Sequence, residues 1–366
     1  MARFERVVIS GTPRERGRSY GSQCKQKIQA VLDNYRKLFS DGKTYASWET
    51  ARQKAMELVP EIDDLGSELT DEMRGIAEGA GVDFEDIVTL NCRSEILALT
   101  PSDPDDHECS ACAVLPERSE NGHLLVAQNW DMLHWVGENG ILLEILREDG
   151  PDVFAITEAG QLARYGMNQN GCVLSLTSLP GPKVEKLYGT PSVPLRRKYL
   201  MEGNWVDGYG HIFERIHMRP MHYLIGCGED IGEALSVEAF PEGKYIMYAE
   251  NGILAHSNHP LSSRPQPLPN QKFGSTIYRC DILRRQLEMK EKNNRDDLYK
   301  ALTCRFAYPF CITGQRDERL PDMRQGATLA CFVMDATEKR LWARKGNNMD
   351  EPLEEYPWTR PEKVKK

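Results

Sequence analysis

The sequence predicts an α+β fold, a layered sandwich in which helices flank antiparallel sheets, and three observations lead to it. Helical periodicity fills residues 1–100, period-two alternation takes over from Cys109, and helical patterns return near residues 278–302. Four Asn-Gly dipeptides, at 121–122, 139–140, 170–171 and 251–252, punctuate the middle region. Asn-Gly is the strongest short-range hairpin signal, and repeated hairpins build antiparallel sheet.

The elements follow in order. Val7-Val8-Ile9-Ser10 reads as a short strand, and Gly11-Thr12-Pro13 as a turn. A helix is expected from about Arg14 to Phe39, because Tyr20, Cys24, Ile28, Val31, Leu32, Tyr35 and Leu38 keep helical spacing. A second helix, Leu65 to Ala80, puts Leu65, Leu69, Met73, Ile76 and Ala77 on one face; Asp83 is placed to cap a third. Strands are expected at Leu124–Gln128, Ile141–Leu146, Val153–Thr157 and Val173–Thr177. Gly181–Pro220 reads as a long irregular excursion or a pocket wall, and Pro260–Pro269, with four prolines, as an extended surface loop. Helices at Tyr278–Met289 and Asp296–Leu302 precede strands at Ala327–Met334 and Arg340–Ala343.

The chain has 366 residues, 40% apolar and 28% charged, with a net charge of −9 spread along its length. An acidic chain without a basic patch disfavours nucleic acid or anionic membrane as the partner. Charges fill the region where a signal peptide has its apolar core, and no apolar stretch nears the ~20 residues of a membrane span. The expectation is a cytoplasmic protein. Arg196-Arg197-Lys198 and Arg284-Arg285 read as solvated helix faces, or as contacts for an anionic substrate or a coenzyme A phosphate.

Chemistry concentrates where the pattern changes. An acidic, proline-rich approach, Pro101 to Glu108, ends at Cys109, and Ser110-Ala111-Cys112-Ala113-Val114-Leu115 then reads as a strand. A thiol at such a junction suits a nucleophile, above all if the chain is cut before it. The new α-amine titrates near ~8 and the thiol near ~8.5, so each helps the other ionise. Cys109 and Cys112 also form the C-x-x-C of a zinc or redox site, but no second Cys or His pair completes four ligands. A thioredoxin-like site would open a helix, not a strand. The other eight of the ten cysteines read as small buried hydrophobes. His256 and His259 have an H-x-x-H spacing without the helix or third ligand that a metal site needs.

Seven segments, in order, carry a family resemblance. They are Gly11-Thr12-Pro13 with Gly17 and Tyr20-Gly21; Glu72 to Ala80; Ile87 to Glu95; Gln128-Asn129-Trp130-Asp131; Ile156 to Gly160; His256-Ser257-Asn258-His259; and Gly326-Ala327-Thr328-Leu329. With Cys109, these make the chain resemble the acyl-coenzyme A:6-aminopenicillanic acid acyltransferase (isopenicillin N acyltransferase) family, C45 peptidase-type N-terminal nucleophile (Ntn) hydrolases. The resemblance implies one domain over residues 1–366, a four-layer αββα sandwich made as an inactive precursor. Self-cleavage between Glu108 and Cys109 would leave subunits 1–108 and 109–366 associated.

In that resemblance Cys109 is the nucleophile, Asp131 an active-site aspartate and Asn258 the oxyanion-hole donor. Glu158, Glu238 and Arg324 are candidates for substrate contact. The family's late arginine directly precedes Gly-Ala-Thr-Leu; here Gln325 stands there and Arg324 one residue earlier. Glu108 stands where penicillin-forming enzymes carry glycine. The implied reaction cleaves a small N-acyl amide through an acyl-thioester, passing the acyl group to water or an amine. It needs no cofactor or metal, with acyl-coenzyme A as an optional acyl donor. The alternatives are an unprocessed thiol hydrolase, and a redox sensor using Cys109 and Cys112.

Overall fold

A computed structural model of the chain describes residues 3–41, 47–99, 109–181, 184–262 and 274–361. It opens with strand β1 (Glu5–Ser10), then helices α1 (Pro13–Gln23), α2 (Lys25–Phe39), α3 (Trp48–Met56), α4 (Val59–Ala80) and α5 (Phe84–Leu97). The single helix expected over Arg14–Phe39 is two, because Cys24 leaves helical geometry (φ −104, ψ 14). Thr12 and Glu15 form a capping box at the start of α1. Gly66 interrupts α4 with an extended residue, and Asp83 is the N-cap residue of α5.

Gly17 and Gly21 of α1 meet Gly75 and Gly79 of α4 at very short range. A Cβ on Gly17 would lie 2.2 Å from the Glu72 carbonyl oxygen, and one on Gly79 2.2 Å from that of Arg18. Two motif segments are therefore explained by backbone-to-backbone packing.

The middle of the chain runs β2 (Ser110–Val114), β3 (Leu125–Leu133), α6 (His134–Glu138), β4 (Gly140–Leu146), β5 (Val153–Glu158), β6 (Tyr165–Asn168) and β7 (Cys172–Ser178). Helices α7 (Ser192–Met201) and α8 (Trp205–Glu214) follow, so half of the segment expected to be irregular is helical. The arginines of α7 point inward: Arg196 and Arg197 are buried, and Arg197 forks onto Glu72 at 2.7 and 2.8 Å. They are not a solvated face. Then come β8 (Met221–Cys227), β9 (Glu233–Phe240), β10 (Gly243–Met247), β11 (Ile253–His256), α9 (Thr276–Glu288), α10 (Arg295–Leu302), β12 (Gly326–Asp335), β13 (Arg340–Lys345) and β14 (Glu354–Tyr356). Most of the loop expected over 260–269 lies outside the described residues.

The strands form two sheets. One has eight strands in the order β1-β4-β5-β6-β7-β8-β9-β10, antiparallel except for the parallel pair β1–β4. The other has six, β11-β2-β3-β12-β13-β14, all antiparallel. Asn170-Gly171 turns the β6–β7 hairpin, with Gly171 at φ 82. Asn139-Gly140 instead joins α6 to β4, and Asn251-Gly252 turns the chain from one sheet into the other.

Period-two alternation assigns the layers. On the six-stranded sheet Cys112, Val114, Leu125, Ala127, Cys331 and Val333 pack against Leu283 and Leu287 of α9 and Leu298 and Leu302 of α10. Their neighbours Ala111, Ala113, Val126, Phe332 and Met334 join the main core between the sheets. Helices α1, α4, α5 and α7 belong to the layer over the eight-stranded sheet. This is the α+β, four-layer αββα architecture expected.

Candidate active site

Cys109 lies at the mouth of β2, the strand between β11 and β3, and is the first described residue after a gap over 100–108. Glu108, the expected other side of the cut, lies outside the described residues. The Cys109 side chain is 4% exposed, and its Sγ is 3.6 Å from the backbone oxygen of Asp131 on β3. Burial and then the Asp131 charge push the thiol up to about 11, against the pull of Arg164 and Arg279. In the uncut chain the thiol is protonated at neutral pH.

Antiparallel pairing sets Asp131 opposite Thr328 of β12, whose hydroxyl donates to Asp131 Oδ1. Gly314 leaves room above the carboxylate: a Cβ there would come within 3.5 Å of Oδ2. The motif segments Gln128–Asp131 and Gly326–Leu329 are thus two neighbouring strands meeting at one acid.

Asn258 is the second residue beyond β11. Its N–H donates to Thr276 Oγ1 at 2.6 Å, and its Nδ2 to the Ser178 carbonyl at 2.9 Å. The strongest link between Asn258 and Cys109 is Arg279 of α9, which sequence reasoning did not single out. This fully buried guanidinium donates from Nη1 to the Cys109 carbonyl (2.8 Å) and Ser110 Oγ (2.7 Å), and from Nη2 to Asn258 Oδ1 (3.0 Å). Holding Oδ1 fixes which end of the amide presents its N–H groups. The sequence does carry a signal: Arg279 falls in register with Thr276, Cys280, Leu283 and Leu287, on the buried face of the helix.

The three substrate-contact candidates lie in different surroundings. Glu158 is buried among Arg93 (3.6 Å), Arg164 (4.0 Å) and the Tyr35 hydroxyl (3.1 Å). Arg164 links that cluster toward Cys109 and stacks over Trp130 at 5.1 Å. Glu238 is occupied by this chain: one oxygen takes His256 Nε2 at 2.9 Å and the Leu261 N–H, the other the N–H and hydroxyl of Ser262. It therefore braces the loop that holds Asn258. Burial raises the Glu238 carboxyl, but the hydrogen bonds from His256, Ser262 and Leu261 outweigh it and hold it below the usual range. Arg324 pairs with Asp41, its Nε 2.8 Å from Oδ2, and Gln325 accepts from Arg316.

Two alternative readings meet their geometry here. Cys112 packs in the layer under α9 and α10, while Cys109 faces Asp131, so the C-x-x-C thiols point to opposite sides of the sheet. That arrangement does not suit a redox pair. His256 is held by Glu238, and among the described residues no group of three or more His, Cys, Asp or Glu is placed to hold a metal.

Residues 118–350, well over half of the chain, match the acyl-coenzyme A:6-aminopenicillanic acid acyl-transferase family. The chain belongs to this family. It is accordingly an enzyme of acyl transfer or amide hydrolysis. It is similar to the 40 kDa form of acyl-coenzyme A:6-aminopenicillanic-acid-acyltransferase from Emericella nidulans, 28% identical over 358 residues that cover 94% of each chain. Solved structures similar to this acyltransferase-family chain include penicillin V acylase from Agrobacterium tumefaciens, at 14% identity and TM-score 0.41, covering 65% of this chain and 83% of that one. Another is the R18L variant of conjugated bile acid hydrolase from Clostridium perfringens, at 12% identity and TM-score 0.43, covering 69% and 97%. Among the described residues no helix is long and apolar enough to cross a membrane.

Proposed function

We propose that the chain is a self-processing cysteine Ntn enzyme that cleaves a small N-acyl amide through an acyl-thioester on Cys109. The observation that carries this reading is Arg279, which holds the Cys109 carbonyl and the Asn258 side chain with one guanidinium. It ties the nucleophile's backbone to the residue that this reading assigns to the oxyanion, whose amide rests on Ser178 before substrate arrives.

Maturation comes first. The Cys109 thiol attacks the Glu108 carbonyl, the peptide nitrogen leaves as the Cys109 α-amine, and water hydrolyses the resulting ester, giving 1–108 and 109–366. A thiol held up to about 11 stays protonated at neutral pH in the uncut chain. The freed amine supplies a base, taking the thiol proton and returning it to the leaving amine of the substrate. This favours a processed enzyme over an unprocessed thiol hydrolase.

In the mature enzyme the thiolate adds to the substrate carbonyl, and an Asn258 N–H stabilises the oxyanion by roughly 3–4 kcal/mol. Asp131 orients the α-ammonium at the mouth of β2. The thioester then passes its acyl group to water, as an amidohydrolase, or to an amine, as an N-acyltransferase. Acyl-coenzyme A serves equally as an acyl donor, since thiolate exchange on its thioester reaches the same intermediate. The partners are a small molecule and the other cleavage product, with no nucleic acid or membrane. A cytoplasmic setting is part of the proposal, supported by ten free cysteines.

The intact mass of freshly purified, reduced protein tests this directly. Two species splitting after Glu108 are expected in place of the 41.6 kDa chain. Cys109→Ala should remain whole and inactive; cleavage or turnover by that variant would overturn the reading.

A further inference from the structure

Two cysteines distant in sequence lie side by side in the eight-stranded sheet. Cys172 opens β7, Cys227 closes β8, and the antiparallel register sets them directly opposite each other. The next rung outward is closed by a hydrogen bond from the Gly228 N–H to the Gly171 carbonyl at 3.0 Å. Rungs alternate, so Cys172 and Cys227 form a non-hydrogen-bonded pair, the kind whose side chains approach most closely. Their Cα atoms in such a pair lie about 4.5 Å apart, inside the ~4.4–6.8 Å that a disulfide spans.

Both cysteines are free thiols, and Cys227 Sγ lies 4.0 Å from the Asn170 carbonyl oxygen. The two neighbouring thiols push Cys227 down and Cys172 up, so the first proton leaves Cys227. Cys227 is also the more open of the two, 8% exposed against 1%. Gly171 and Gly228 flank the pair and pack closely against the Ala336–Thr337 backbone, with Glu229 and Lys339 the nearest charges. One rung inward Tyr199 donates to the Val173 and Gly226 carbonyls, pinning the two strands together.

We propose that Cys172 and Cys227 are a site of reversible oxidation that reacts with a small disulfide of the glutathione class and closes a cross-strand bridge. The Cys227 thiolate attacks one sulfur of the disulfide, forming a mixed disulfide and expelling one thiolate. Cys172 then gives up its proton, attacks the Cys227 sulfur and expels the second. Two protein thiols are oxidised, and one small disulfide is reduced to two thiols. Thiol–disulfide exchange runs in both directions, so excess thiol reopens the bridge. The pair thus acts as a switch, and it is independent of Cys109.

Native protein held with excess glutathione disulfide, alkylated, digested and read by peptide mass provides the test. A linked Cys172–Cys227 peptide is expected, with two of the ten thiols lost and both recovered by dithiothreitol. Cys172→Ser should trap the intermediate as a single glutathione adduct on Cys227, and Cys109→Ala should form the bridge as readily as the natural chain. The proposal fails if native protein keeps both thiols while other cysteines react. It fails equally if the bridge appears only in urea-unfolded chain. Both readings use the natural sequence, so the folding of a variant does not decide the matter.

Discussion

Arg279 donates through Nη2 to the side-chain oxygen of Asn258 at 3.0 Å, so a helix arginine sets the direction in which the asparagine presents its amide hydrogens. The same guanidinium grips the Cys109 carbonyl. Replacing it leaves the Cys109 carbonyl, Ser110 Oγ and Asn258 Oδ1 without this donor, a cost of about 1–3 kcal/mol. Arg279→Lys keeps a charge but cannot reach all of these acceptors, so kcat and the rate of self-cleavage should each fall about 10–100-fold. KM should change little, because substrate is not touched. Full activity in the lysine variant would remove Arg279 from the site.

The ionisation of Cys109 should change on cutting. In the uncut chain, alkylation of Cys109 should rise with pH up to about 11, where burial and Asp131 hold the thiol. After the cut the midpoint should drop toward ~8, the range of an α-amine beside a thiol. Iodoacetamide labelling across pH, read at the Cys109 peptide, gives both midpoints. An unchanged midpoint would mean that the new amine does not serve as base.

Glu238 predicts an acid limb of stability. Its carboxyl lies below the usual range in the folded chain because of its hydrogen bonds from His256, Ser262 and Leu261. A depressed carboxyl stabilises the fold above the unfolded value of about 4.3 and loses that contribution as pH falls through the folded value. Melting temperatures of the natural chain should therefore fall steeply below about pH 4.3. Glu238→Gln should melt lower at pH 7 and lose part of that slope; an identical slope would assign the limb to other carboxylates.

The α1–α4 contact should not tolerate even a methyl group. A Cβ on Gly17 would sit 2.2 Å from the Glu72 carbonyl oxygen and 2.9 Å from the Gly75 Cα, both backbone atoms that cannot swing away. Gly17→Ala should cost about 1–3 kcal/mol or more by overpacking. Urea unfolding followed by circular dichroism would show it, and an unshifted midpoint would mean that the two helices separate easily.

The layers were legible because the apolar period changes at Cys109 and again near Thr276, and period alone separates strand from helix. The break at Cys24 was not, since Cys24 keeps the apolar spacing on both sides of the bend. The inward face of α7 was not legible because Arg197 meets a buried carboxylate, and a charged residue reads as surface until its partner is known. The same limit applies at the site. Cys109, Asp131 and Asn258 stand in motifs, and the fold brings Asp131 and the Asn258 loop to the Cys109 region. Arg279 stands in none, and its importance comes from contacts with residues 170 and 21 positions away. Glu238 and Arg324 carried charge suited to a substrate, but the fold had already matched each with a partner of its own.

Strand β1 pairs in parallel with β4 along six consecutive residues, from Glu5 with Ile141 to Ser10 with Leu146. A break between residues 108 and 109 would therefore fall within a shared sheet, not between two folding units. Among the described residues, the smaller fragment would contribute a border strand and the helices α1 to α5, and the larger one would hold every other strand. Neither piece has a complete hydrophobic interior by itself. Production of the two as separate polypeptides should give insoluble material unless they meet during synthesis, and dissociation of the nicked protein would be the same event as its unfolding.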